Sequence, residues 1–275
     1  MKKLFVSLAI IGLLTSFAPK KDMSWAAIGD SITFHNGRIQ YTKNRITKAY
    51  LDRVTDELPY IHSFNHGYGG WTAKAMADNI NNIGLEKADF YTVFLGTNDW
   101  WTALPIGTFS DYQNSAGNST VYGSYRTIVN KIKTLNSDAV IILMTPLQRT
   151  DYVDINDINS IIPGAYKAKN GHFLSEYADA VKTIAQKESF KLVDLYYKSG
   201  ITIKNAVNYK RLRDPQTGEY KNYTYPDYIG IPFNPKTDDY PYPIDAMNFM
   251  YDGLHPSDKG HAVIAKMLVK IMKKY

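Results

Sequence analysis

Five short apolar-rich runs recur along the chain, at residues 25–28, 61–64, 90–95, 139–144 and 190–195, and each is followed by a longer stretch of helical character. Successive side chains of a strand point to opposite faces, so a run that is apolar throughout must be covered on both sides. Helices on both faces supply that cover, and connections of this length join parallel strands rather than hairpins. The helical stretches lie at 43–57, 73–83, 124–135, 173–187 and 257–272. In the first, Ile46, Ala49, Tyr50, Val54 and Leu58 share one face. The pattern predicts an α/β fold with a central parallel five-stranded sheet between two helical layers. With 44% hydrophobic and 21% charged residues the chain can bury a large core, and its 275 residues are expected to form one domain after a short leader.

The leader is residues 1–18. Lys2 and Lys3 precede an uncharged, mostly apolar run that ends Ser16-Phe17-Ala18, with small residues where a signal peptidase reads. Fifteen helical residues would span about 22 Å of a roughly 30 Å hydrocarbon core, which favours a cleaved secretory signal over a permanent span or a buried helix. Export to a periplasm or beyond is therefore expected, and no later stretch is apolar enough to cross a membrane. Removing Lys2 and Lys3 lowers the formal charge from +6 to +4, and the remaining lysines are scattered. That argues against nucleic acid as a partner. Cysteine is absent, which excludes disulfides, thiolate metal sites and a lipoprotein anchor. The oligomeric state is not legible.

In open parallel sheets, ligands bind beyond the carboxyl ends of the strands. Gly29-Asp30-Ser31 follows the first run, Asn65-His66-Gly67-Tyr68-Gly69-Gly70-Trp71-Thr72 the second, and Gly96-Thr97-Asn98-Asp99 the third. Asp252-Gly253-Leu254-His255 precedes the last helix. Each block has a plain structural reading: Ser31 can cap a helix, and His255 can sit in a turn before Pro256. Together they make a kit for acyl transfer. A serine hydroxyl needs a base, an imidazole suits that task at neutral pH, and a carboxylate fixes the tautomer of the imidazole. Ser31, His255 and Asp252 fill those roles. The Ser31 and Gly70 N–H groups and the Asn98 amide are candidate donors for an oxyanion hole. Asp30 is expected to order its turn, and Asp99 to hold the loop that carries Asn98.

These four blocks, in this order, resemble the GDSL, or SGNH, hydrolase family, from about Trp25 to the C-terminus. Isoleucine replaces the leucine that usually follows the serine. The resemblance implies a flavodoxin-like three-layer α/β/α sandwich, hydrolysis of esters or less often thioesters, and no metal or organic cofactor. An ordinary α/β-hydrolase elbow fits less well, because residue 33 is Thr rather than Gly. His62 and His66 are four apart but flank a strand-like segment, where zinc ligands would not converge.

Two stretches break the rhythm. Residues 100–123 and 199–251 are rich in turn formers and aromatics, and the second contains eight tyrosines. Long irregular insertions are usually functional or mobile. Trp71, Trp100 and Trp101 are candidate platforms for substrate, with core packing as the alternative, and the tyrosine-rich insertion is expected over the same sheet edge. Flat rings with polar tips suit sugars and protein interfaces alike. Export, aromatics and the resemblance together favour removal of small acyl groups, acetyl foremost, from a carbohydrate or glycoconjugate. A lysophospholipase or thioesterase, and a glycan-binding protein with a relic triad, are the alternatives.

Overall fold

The computed structural model describes residues 20–275; the expected export signal, residues 1–18, lies outside the described residues. Its central sheet is built from β1 (Met23–Gly29), β2 (Ile61–Gly67), β3 (Phe90–Phe94), β4 (Val140–Met144) and, after two short strands, β7 (Lys191–Val193). All are parallel, in the order β2-β1-β3-β4-β7. The short strands β5 (Tyr152–Val153) and β6 (Ile161–Ile162) form one antiparallel ribbon. A second, β8 (Lys210–Arg213) with β9 (Tyr220–Tyr223), lies in the insertion.

Both faces of the three central strands are covered, as their continuous apolar runs require, whereas the edge strand β2 leaves His62 and Phe64 exposed on one face. Ala26, Ile28, Tyr91, Val93, Ile141 and Leu143 pack against α3 (Ala73–Asn79), α6 (Val121–Leu135) and α7 (Leu174–Lys187). Their chain neighbours Trp25, Ala27, Phe90, Phe94, Ile142 and Met144 pack against α2 (Tyr50–Glu57) and α9 (Asp258–Met272). The shorter helices are α1 (Ser31–Phe34), α4 (Thr97–Trp101), α5 (Phe109–Gln113) and α8 (Leu195–Lys198). Side-chain caps set the longer starts: Thr120 accepts from Gly123 N ahead of α6, and Ser257 from Gly260 N ahead of α9.

The helix expected at 43–57 begins only at Tyr50. Lys43 and Asn44 adopt left-handed backbone, with φ of 48° and 56°, which interrupts any helix there. The carboxylate of Asp258 then captures the N–H groups of Thr47 and Lys48 at 3.0–3.1 Å, fastening this segment to α9.

Register sets up the site. Gly29 at the end of β1 pairs with Gly67 of β2 and Phe94 of β3, so three strand ends finish level. The strand order reverses between β1 and β3, the place where open α/β sheets hold their ligands.

Candidate active site

Ser31 opens α1 immediately after β1, where the Asp30 side chain caps the helix by accepting from Ile32 N at 3.0 Å. Gly67 lets β2 end directly beneath this turn, since a Cβ there would lie 2.2 Å from Phe34 N. The turn from Asp252 to His255 comes from the far end of the chain. Asp252 Oδ1 accepts from Leu254 N at 3.0 Å and His255 N at 2.7 Å, so its second oxygen is aimed along the turn. His255 Nδ1 lies 2.6 Å from Asp252 Oδ2, and His255 Nε2 lies 2.8 Å from Ser31 Oγ. A carboxylate only accepts, so Nδ1 carries the proton and Nε2 offers its lone pair to the serine hydroxyl. The structure therefore brings Ser31, His255 and Asp252 into one hydrogen-bonded chain.

Burial alone would push the His255 pKa down. The charge of Asp252 and its hydrogen bond, with Asp30 and Asp154 behind them, outweigh burial and raise it. Rings box the imidazole in: Tyr251 stacks on it with centroids 5.8 Å apart, and Tyr152 meets it edge-on at 5.4 Å.

Gly70 and Asn98 line the same cavity, of about 260 Å³, as Ser31 and His255. Asn98 Nδ2 donates to Trp71 O at 3.0 Å, which orients the amide at the cavity and leaves it a second N–H to donate. Asp99 is buried, and its Oδ1 accepts from Ala73 N at 2.8 Å, linking the loop after β3 to the start of α3. Burial raises the Asp99 pKa to about 7 and that of Asp30 to about 6. Among the described residues no group of three or more His, Cys, Asp or Glu side chains is placed to hold a metal ion. His66 pairs with Glu86 at 2.6 Å, and His62 faces Asp22.

The tryptophans do not form the expected platform. Trp100 is 1% exposed; its indole donates to His172 O at 3.1 Å and lies beneath the buried Arg149 guanidinium. Trp71 stacks on Tyr68 and Trp101 is covered by Lys169, and neither lines the Ser31 cavity. The cause is local, because both loops turn into helices that bury one side against the core. The tyrosine-rich insertion likewise turns inward: none of its eight tyrosines is fully exposed, and only Tyr251 lines the cavity.

Several cavity residues escaped the sequence reading. His35 lies four residues after Ser31, one turn along, with its ring centroid 4.9 Å from that of His255. Burial, then the charges of His255 and His261, push its pKa down to about 3, so it is a neutral imidazole on the wall. The spacing from Ser31 was the available signal. Tyr152, Asp154, Asn156 and Ile162 come from the segment after β4, which carries no motif.

That segment also holds the catalytic-type turn in place. Thr150 N donates to Gly253 O at 3.0 Å and Val153 N to Asp252 O at 3.3 Å. Gly253 has φ +89°, and a Cβ there would lie 1.9 Å from Asp151 O. Gly253→Ala is expected to lower stability by about 3 kcal/mol, and Tm by about 10 °C, through backbone strain and overlap. Thermal unfolding checks this, and an unchanged Tm would show that the turn relaxes freely.

The chain matches the model of the GDSL-like Lipase/Acylhydrolase family over residues 27–263. A possible lipase from Chitinophaga pinensis is 49% identical with a TM-score of 0.90, the match covering 92% of this chain and 98% of that one. A lipase/acylhydrolase from Enterococcus faecalis is 17% identical, with a TM-score of 0.51 and coverage of 92% and 96%. The acetyl xylan esterase AlAXEase is 16% identical, with a TM-score of 0.52 and coverage of 91% and 100%. At those two identities the likeness is one of fold. No curated protein sequence matches the chain. The parallel sheet with its level strand ends, the joined serine, histidine and aspartate, and the match across most of the sequence lead to one statement: this chain belongs to the GDSL-like lipase/acylhydrolase family.

Proposed function

We propose that this protein is an exported serine ester hydrolase that removes short acyl groups, acetyl foremost, from a carbohydrate or glycoconjugate. The observation that carries the reading is the hydrogen-bonded chain from Asp252 through His255 to Ser31 Oγ, opening into a cavity of about 260 Å³. Ser31 Oγ attacks the ester carbonyl while His255 Nε2 takes its proton, and Asp252 stabilises the imidazolium. The tetrahedral oxyanion meets the N–H groups of Ser31 and Gly70 and the Asn98 amide. His255 then returns the proton to the departing sugar hydroxyl, leaving an acyl-serine. Water, activated by the same imidazole, attacks that ester and releases the acid, which regenerates the serine.

The cavity wall favours a short acyl group. Asn98, Asp154, Asn156, His35 and tyrosines make most of it, with Ile155, Ile162 and Leu254 as its aliphatic part. A long acyl chain needs an extended apolar tunnel, as a lysophospholipase or long-chain thioesterase would have. Export is supported by the lysine pair, apolar run and small residues of the first 18 positions. Among the described residues no helix is long and apolar enough to cross a membrane.

The test compares p-nitrophenyl acetate with p-nitrophenyl octanoate and follows acetate release from acetylated xylan and pectin. The reading predicts at least about tenfold higher kcat/KM on the acetate and release from one of the polymers. Preference for octanoate would move the assignment to lipid acyl hydrolysis. Glycan retention without any ester turnover would make the protein a binding module.

A further inference from the structure

The β5–β6 ribbon has a cavity on each side. Tyr152 and Ile162 line the Ser31 cavity, whereas their chain neighbours Asp151 and Ile161 line a second cavity, also of about 260 Å³. This follows from the alternation of side chains along a strand, and it places the two cavities back to back across one thin ribbon.

The second cavity combines rings with a buried ion pair. Tyr166, Tyr228 and Phe233 contribute aromatic wall, Lys210 and Asp151 contribute the buried polar part, with Lys210 Nζ 2.9 Å from Asp151 Oδ2, and the exposed Lys167 stands at the rim. Both charged residues are buried. The carboxylate of Asp151 is fully engaged: Gly164 N and the Tyr166 hydroxyl donate to its Oδ1, each at 2.7 Å, and Lys210 to its Oδ2. The ammonium has three N–H groups and gives one to that carboxylate, with the Tyr228 ring centroid 5.7 Å away, which leaves it further donors within a charge-balanced pair.

The chemistry selects a ligand. The buried pair is charge-balanced, and the remaining lining cation, Lys167, is exposed and screened by solvent, so an anion gains little there. An acyl chain would leave the donors of a desolvated ammonium unpaired, which is costly. A sugar answers both parts, since its hydroxyls accept from the ammonium and its C–H face packs on aromatic rings. We infer that this second cavity is a carbohydrate subsite, holding another sugar residue of the chain whose acyl group lies at Ser31. The inference rests on the carbohydrate reading above and adds to it a site outside the Ser31 cavity. It also assigns a role to the insertion, which supplies Lys210, Tyr228 and Phe233.

Phe233→Ala removes a half-buried ring from this wall, and Ile231→Trp fills the same space from a neighbouring position. For each variant, kcat and KM are measured on p-nitrophenyl acetate and on acetylated oligosaccharides cut from xylan and pectin. The expected result in both is a drop of about tenfold in kcat/KM for the oligosaccharides relative to p-nitrophenyl acetate, carried by KM. A ratio that stays at the wild-type value, whether both activities hold or both fall together, overturns the subsite and leaves the cavity a structural feature. Wild-type protein that hydrolyses p-nitrophenyl acetate but none of the acetylated oligosaccharides removes the carbohydrate reading, and the subsite with it. Two variants keep the test decisive, because loss of packing in Phe233→Ala and added bulk in Ile231→Trp would disturb folding in opposite ways.

Discussion

Ser31→Ala is expected to lower kcat on p-nitrophenyl acetate by about 10⁶-fold, the scale seen when a serine that acts as one unit with its histidine is removed. The residual rate then comes from the oxyanion donors and binding alone. Stability should scarcely change, because the helix cap at this turn is made by Asp30 and not by Ser31. Tm and kcat measured on the same preparation separate a lost nucleophile from a lost fold. A variant that retained even a tenth of the wild-type rate would remove Ser31 from the chemistry.

The second large effect is expected for Asp252→Asn, at about 10⁴-fold in kcat. Asparagine can still accept from Leu254 N and His255 N, so the turn keeps its shape. Its amide, however, presents N–H where the carboxylate presented an oxygen to His255 Nδ1, which drives the imidazole proton onto Nε2. The lone pair then points away from Ser31. The same substitution shifts the pH profile in a definite direction. The base works only when neutral, so activity is lost as pH falls through the His255 pKa. In the wild type that pKa is raised, mainly by Asp252 against the opposing effect of burial, and the acid limb of kcat/KM should lie above the ordinary imidazole value of about 6.5. Removing the charge lowers the pKa and moves the residual limb to lower pH. A limb that stayed in place would mean that another group sets it.

The frame of this molecule was legible because its central strands are apolar on both faces. Trp25, Ala27 and their neighbours Ala26 and Ile28 contact different cores, so continuous burial followed from the residues themselves. Ser31, Asn98, Asp252 and His255 were legible because they fall where a parallel sheet places its ligands. The segment that holds the Asp252–His255 turn was not. Its work is done by backbone groups of Thr150 and Val153 and by the Asp151–Lys210 pair, whose partners are 59 residues apart and share no pattern. Trp100 and Trp101 illustrate the other limit. They are adjacent in sequence, yet a short helix buries one completely and leaves the other at the edge, and neither composition nor spacing distinguishes them. The eight tyrosines of the insertion carry polar tips that suggested an open binding face. The structure instead uses several of those tips internally: the Tyr240 hydroxyl donates to Val153 O, and the Tyr242 hydroxyl to Asp151 O beside the catalytic-type turn.

The central claim is that Ser31 is the atom acylated in turnover, with His255 as its base. The most direct measurement is peptide mass mapping after reaction with diethyl p-nitrophenyl phosphate, which transfers a phosphoryl group to an activated serine and releases p-nitrophenolate. The account predicts one equivalent of label, on the peptide containing Ser31, in step with loss of esterase activity, and no label in His255→Ala. Label on another residue, or full inactivation with Ser31 unmodified, would contradict it.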